Sequence, residues 1–194
     1  MVQYLAFVVR TFTGQKQYLR VILGLFVFGI VIGVLKHETA SGYIKEAVSN
    51  LFGRFADLRG LELFIRIFLN NLMAAALATA SGLMFGIVPL VSAFLNGLII
   101  GTVLTSLVNL TELTFLQAVL SITPHGVFEI PSFLLALAMG LALGTWPFRK
   151  EKAAFLRDVL RNAARVYAGI VIPFLIIAAA IETIGIELVR AGGG

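Results

Sequence analysis

An uncharged stretch from Ile67 to Thr111 constrains this chain more than any other feature of its sequence. A charged side chain at the centre of a bilayer costs about 2.5–3.5 kcal/mol on insertion scales, so a long uncharged apolar run marks a membrane span. This run is more than twice the ~20 residues that one transmembrane helix needs, and it therefore predicts two spans. Gly86 and Pro89 punctuate the run, which places the break between the two spans in this segment.

Three further uncharged stretches bring the predicted number of spans to five. They cover 21–35, 130–148 and 166–181. With flanking residues that can snorkel outward, the spans are expected at about 19–36, 62–85, 88–109, 125–147 and 165–186. The first stretch also has the basic approach and the length of a signal peptide, but we expect it to remain as a membrane helix.

The composition agrees with a membrane protein. Hydrophobic residues make up 59% of the chain, charged residues only 13%, and the mean hydropathy is +0.99. A soluble domain is nearer half apolar and a quarter charged, so a soluble enzyme and a disordered chain are excluded. The absence of cysteine excludes disulfide scaffolds, thiolate catalysis and zinc fingers. We therefore expect a single all-α polytopic membrane domain over residues 1–194.

Segments outside the spans are expected at the membrane surface. Residues 43–59 carry apolar side chains at helical spacing and predict an external amphipathic helix, lying on the membrane, on a partner or on its own bundle. Residues 150–163 predict a cytoplasmic basic helix, and the apolar segment 1–12 is expected in the interface. The uncharged stretch 113–124 is too short to span, so it is either a re-entrant or interfacial segment or an external loop with one helical turn.

The basic residues predict the orientation in the cell membrane. With the N-terminus in the cytoplasm, the inner face carries nine basic and two acidic residues, whereas the rest of the chain is net negative. Five spans then place the C-terminus outside. Arg157, Arg161 and Arg165 recur every four residues as one stripe, for which lipid headgroups are the expected contact and another protein is the alternative. Anionic lipid explains the basic excess, and no nucleic acid is needed.

Two kinds of residue stand out inside the spans. The first is a set of four GxxxG pairs, which allow close approach of helix backbones within one bundle or at a homodimer seam: Gly29/Gly33, Gly82/Gly86, Gly97/Gly101 and Gly140/Gly144. The second is a set of three amides, Asn70, Asn71 and Asn96. We expect these amides to form interhelical hydrogen bonds between the second and third spans, or to line a polar path.

The segment 123–131 carries the most informative chemistry. Thr123 can cap a helix and Pro124 suits its first position, so the fourth span is expected to begin here. His125 and Glu129 are four residues apart and share one face near the outer membrane boundary.

Imidazole and carboxylate on one helix face form half of a site for a divalent metal such as zinc. Glu112, His37, water or a second copy of the chain would have to supply the remaining ligands. The alternative is a hydrogen bond between His125 and Glu129 that ties the helix start to the preceding segment.

Between about residues 60 and 145 the sequence resembles the stage II sporulation protein M family of integral membrane proteins. The resemblance rests on motifs in a fixed order: Asn71, Gly82, Gly86, Asn96-Gly97, Gly101, Pro124-His125-Gly126, Glu129, Pro131 and Gly140. Ser132 departs from the alanine that is usual in the family. The resemblance implies a helical membrane domain and carries over Pro124, His125, Gly126 and Glu129 as a candidate site.

The resemblance also implies a function, because the namesake acts in engulfment and anchors peptidoglycan-degrading partners at the septal membrane. The first hypothesis is accordingly a non-enzymatic membrane scaffold for other membrane or cell-envelope proteins. The second is a small dimeric transporter or channel that uses the buried Asn and Glu residues. A metalloenzyme is disfavoured, because the chain has two histidines, no HExxH motif and no complete ligand set. A divalent metal such as zinc is the one candidate cofactor.

Overall fold

The computed structural model describes residues 4, 6, 7, 11, 14–37, 57–111 and 114–192, with side chains for all of these except 110, 111, 120–125 and 192. Every regular element in this part of the chain is helical. The helices are α1 (Lys16–Leu35), α2 (Gly60–Ala80), α3 (Ile87–Thr111), α4 (Phe115–Leu143), α5 (Lys152–Val166) and α6 (Ile172–Gly192). A 3-10 turn follows α2 (Ser81–Leu83), another follows α4 (Trp146–Phe148), and a π-helical turn, Tyr167–Val171, joins α5 to α6.

Five of the helical segments are long and apolar enough to cross a membrane. They are Lys16–Leu35, Gly60–Leu83, Ile87–Asn109, Gly126–Phe148 and Lys152–Ala191. Their outward faces are apolar, and large side chains such as Met73 and Leu77 of α2 are more than half exposed. Such a surface is suited to lipid and not to water. The predicted all-α membrane fold with five spans is confirmed.

A tight turn reverses the chain between α2 and α3. Phe85 and Gly86 both have left-handed backbone conformations there, with φ angles of 58° and 73°. Glycine adopts this conformation freely, whereas for phenylalanine it costs about 1–2 kcal/mol. The turn is short, so α2 and α3 run in opposite directions.

Helices α1 and α3 are held in close contact by two of the GxxxG pairs. Gly29 lies against the backbone of Phe94 and Gly33 lies against that of Leu98, while the pair on α3 lies against the backbone of α1 in turn. The partners advance together along both helices, so α1 and α3 are parallel. A side chain at any of these glycines would force the backbones apart.

Helices α2 and α4 form a second parallel pair in the same way. Gly82, just after α2, lies against Gly140, and Gly86 lies close to Gly144. The two parallel pairs point in opposite directions, because α2 and α3 are antiparallel. All four GxxxG pairs therefore make contacts within one chain, and the homodimer stays a prediction.

Helix α4 is the centre of the bundle. It packs against each of the other four spans, and its residues Leu135 and Leu137 have exposed fractions of 0%. Two hydroxyl groups add polar contacts beside it. Thr79 Oγ1 donates to Ala136 O at 3.0 Å and lies 2.8 Å from Tyr167 Oη, which is 2.6 Å from Ala75 O. These contacts tie α2, α4 and the π-helical turn together.

The start of α4 differs from the prediction. The helix begins well before Thr123-Pro124, since Gln117 N donates to the Thr114 hydroxyl and Thr114 N donates to the Gln117 side chain at 2.8 Å. This capping box satisfies backbone groups at the helix start. Residues 115–124 are the N-terminal turns of α4 and not a separate re-entrant segment or loop. Proline is tolerated in the interior of a membrane helix, which is why Pro124 does not mark its start.

The basic helix and the last span also differ from the prediction, which treated them as separate elements. They form one continuous helical segment, Lys152–Ala191, interrupted only in its hydrogen-bond pattern by the π-helical turn. The composition changes from charged to apolar near Val166, but a change of composition does not by itself end a helix. Gly169 of the turn makes room for the ring of Phe7.

The external amphipathic helix predicted for 43–59 lies almost entirely outside the described residues, as does most of the segment 1–12. The described part of the chain resumes at residue 57, just before α2, where it contacts the end of α6. Arg190 Nη1 donates to Leu58 O at 2.8 Å, and Gly60 N donates to Glu187 Oε1 at 3.0 Å. These bonds fix the start of α2 against α6.

Candidate functional site

A cavity of about 960 Å³ lies between α2 and α3, with α4 at its back. Few residues of α2 contact α3 along this side, and Phe26 of α1 and Leu175 of α6 contribute to the wall. Most of the lining is apolar. Its polar residues are Asn70, Asn71, Ser81, Ser92, Asn96 and Glu129.

The cavity brings together residues that the sequence assigned to two different sites. Asn70, Asn71 and Asn96 were predicted as interhelical or path-lining amides, and Glu129 as a metal ligand. The packing of α2 on α4 explains the convergence. Gly82 and Gly140 are 58 positions apart and in contact, and the same separation takes Asn71 to Glu129.

The amides do not bond across the cavity. Asn96 Nδ2 donates to Ser92 O in its own helix at 2.8 Å, and Asn70 Nδ2 donates to the neighbouring Asn71 Oδ1 at 3.3 Å. The expected interhelical bonds between the second and third spans are therefore not formed among the described side chains. The reason is the separation of α2 from α3 at this level.

The cavity opens on the side of the bundle. Its mouth is formed by Asn70, Ala74 and Leu77 of α2 and by Ile99 of α3, all of which are exposed. Asn70 lies halfway along α2. If α2 spans a bilayer, this opening would face lipid, with a polar amide at its mouth.

Glu129 has an acidic neighbour that the sequence analysis missed. Glu182, on α6, acts on the Glu129 carboxyl electrostatically. Helix α6 packs against α4, which explains how the two acidic residues come near each other. The sequence signal for Glu182 is a carboxylate inside an otherwise apolar final span.

The predicted metal site lies only partly within the described residues. His125 lies in α4 one turn before Glu129, but its side chain is outside the described part of the structure. Among the described residues, no group of three His, Cys, Asp or Glu side chains could hold a metal ion. Of the other ligands considered, His37 Nε2 lies 3.0 Å from Asn109 Nδ2, and Glu112 is not described.

The basic stripe lies on α5. Arg157, Arg161 and Arg165 are all exposed, while Leu156 borders a small apolar groove of about 450 Å³ against the end of α2. Exposure leaves these guanidinium groups accessible to lipid headgroups. The lipid contact itself stays a prediction.

Comparison with known proteins gives one family. Neither the curated proteins nor the solved structures include a significant match to this chain. The family described as Stage II sporulation protein M matches residues 22–185, which include all or part of each of the five membrane helices and every described residue of the cavity. The chain belongs to the stage II sporulation protein M family of membrane proteins.

Proposed function

We propose that this chain is a small, non-enzymatic transporter that binds an amphipathic molecule in the cavity and moves it within or across the bilayer. The observation that carries the proposal is the cavity of about 960 Å³ in the membrane-spanning bundle, with amide and carboxyl groups in an otherwise apolar wall. Drug-sized ligands occupy pockets of about 300–1,000 Å³ with a few polar groups. Ionisable groups inside a membrane are costly and mark functional sites.

The arrangement of the helices also favours transport. The cavity lies between two parallel helix pairs of opposite direction, α1 with α3 and α2 with α4, and each pair is closed by glycine contacts. Transporters commonly rock one rigid unit against another around a central site. The open side between α2 and α3 is where such a movement would change access.

A scaffold is the second candidate, because membership of the family favours the anchoring role of its namesake. A scaffold needs partners on its surface but needs no ligand in the cavity. The two functions therefore differ in what a blocked cavity would change.

Native mass spectrometry of protein extracted from its own membrane tests the transporter. Ala74→Trp fills the mouth of the cavity, and Ala76→Trp is the matched control, since Ala76 borders the apolar groove and not the cavity. We expect a bound molecule in the wild type and in Ala76→Trp, but not in Ala74→Trp. The released molecule should then leave wild-type proteoliposomes faster than Ala74→Trp proteoliposomes. If no variant carries a ligand, the transporter proposal fails.

We further propose a homodimer with cytoplasmic N-termini and external C-termini. Five spans are few for a complete transport path, and the basic residues favour this orientation. The chain has no cysteine, so single introduced cysteines can be labelled without background. An impermeant maleimide added to intact cells should label Leu188→Cys and not Lys150→Cys. The opposite pattern would refute the orientation.

A divalent metal at His125 and Glu129 is proposed as an alternative to a ligand that contacts Glu129, because one carboxyl group would not serve both. It is supported by the position of both residues on consecutive turns of α4. Elemental analysis of protein purified without chelators should find zinc or another divalent metal, lost in His125→Ala. Absence of metal from the wild type would reduce the pair to a structural contact.

A further inference from the structure

We infer that the ligand of the cavity is a lipophilic monocation, such as a protonated amine or a quaternary onium ion with a bulky apolar body. This inference rests on the proposed binding function of the cavity and names the class of molecule that would occupy it.

The charge of the ligand follows from the polar lining. Glu129 is the only ionisable side chain among the described residues that line the cavity, and the other polar groups are neutral amides and hydroxyls. Among the described residues that line the cavity there is no lysine, arginine or histidine. A carboxylate in a membrane interior is stabilised by a cation and would repel an anion.

The apolar body of the ligand follows from the rest of the wall. Phe26, Ile99, Ile100 and Phe133 face the same space as Glu129. Aromatic faces attract cations, most strongly where water is excluded. A small hydrated inorganic cation would leave this apolar surface without contacts.

The opening of the cavity gives the route of the ligand. Asn70 and Ala74 are exposed at its mouth, halfway along α2, so access is from the lipid. A molecule that arrives by this route must already partition into the bilayer. A lipophilic cation does so, and the amide groups at the mouth can solvate its charge as it passes.

Two nearly isosteric ions of opposite charge, tetraphenylphosphonium and tetraphenylborate, separate charge from shape. Binding of each is measured by equilibrium dialysis against the full-length protein in nanodiscs, with empty nanodiscs subtracted. We expect saturable binding of tetraphenylphosphonium to the wild type, and weakening of at least about tenfold in Glu129→Gln. Glu129→Asp keeps the charge and should retain binding, which shows that the glutamine variant has lost charge and not its fold.

Binding of the neutral dye Nile red is measured for the wild type, Glu129→Gln and Ala74→Trp. It distinguishes ligand binding in the cavity from selectivity for cations. Loss of Nile red binding in Ala74→Trp would show that the cavity binds ligands. If tetraphenylborate then binds the wild type as well as tetraphenylphosphonium does, the charge selectivity is refuted. Equal binding of tetraphenylphosphonium to the wild type and Glu129→Gln refutes it as well. If none of the three probes binds saturably, the proposed binding function of the cavity itself fails.

Discussion

The glycine seam between α1 and α3 gives the sharpest test of the structure, through two substitutions on one helix. A Cβ added at Gly29 would meet the carbonyl oxygen of Phe94 and would lie 2.9 Å from Leu98 N. A Cβ added at Gly24 would meet nothing within 4 Å. Gly29→Ala and Gly24→Ala thus make the same chemical change on the same helix, one at a contact and the other in open space.

The expected difference in stability between the two variants follows from what surrounds each glycine. Overpacking a close contact costs about 1–3 kcal/mol. If the two helices instead move apart by about 1 Å, the atoms at their interface lose a quarter to a half of their dispersion energy. The obstacle at Gly29 is backbone, which no rotamer change can remove. Replacing glycine in a helix gains about 0.5–1 kcal/mol, and this gain is common to both variants. Gly29→Ala should therefore be about 1–3 kcal/mol less stable than Gly24→Ala.

The assay is reversible unfolding in mixed micelles with increasing mole fraction of SDS, followed by far-ultraviolet circular dichroism. Gly24→Ala should unfold at or above the wild-type midpoint, and Gly29→Ala below it. Gly33→Ala, which also faces α3 backbone, should behave like Gly29→Ala. Equal midpoints for Gly24→Ala and Gly29→Ala would show that α1 and α3 do not pack at glycine distance, and the parallel pairing derived from these contacts would be wrong.

Three further predictions use the same unfolding assay. Leu137→Ala, at a fully buried position, should lower the free energy of unfolding by about 2–5 kcal/mol, whereas Val189→Ala, 77% exposed, should change it little; similar losses would contradict the central position of α4. Tyr167→Phe and Thr79→Val should be non-additive by about 0.5–3 kcal/mol, because their hydroxyls are 2.8 Å apart, and additive losses would show independent roles. Thr114→Ala should cost about 0.5–2 kcal/mol through loss of the capping box, and no loss would place the functional start of α4 elsewhere.

The spans could be predicted from the sequence because the bilayer imposes a length and a penalty for charge. The run 67–111 and three shorter runs were sufficient to give five membrane helices. The fourth span, Gly126–Phe148, lies close to its predicted position, but the helix that carries it begins earlier, at Phe115. The sequence holds two signals for the helix start, because Thr114 and Gln117 have the spacing of a capping box, whereas Thr123-Pro124 places proline where it commonly begins a helix.

The sequence indicates the individual residues of the candidate site, but it does not indicate that they line the same cavity. Asn71 and Glu129 are unusual in apolar spans and could be singled out for that reason alone. That they line one cavity depends on the parallel register of α2 and α4, which is fixed by contacts such as Gly82 on Gly140. No local pattern specifies which glycine pair meets which, so a single sequence could not give this register.

Three of the seams that α2 and α3 form, with other helices or with each other, support the proposal of a ligand. Glycine contacts close the seam between α1 and α3 and the seam between α2 and α4, whereas the seam between α2 and α3 is open and lined by Asn70, Asn96 and Glu129. Small apolar residues at these three positions would let the third seam close in the same way and would avoid the cost of polar groups in a membrane. A bundle under selection for stability alone would have no reason to keep both the opening and the polar groups. The proposed ligand would supply that reason, because it would fill the space and pair with the polar groups.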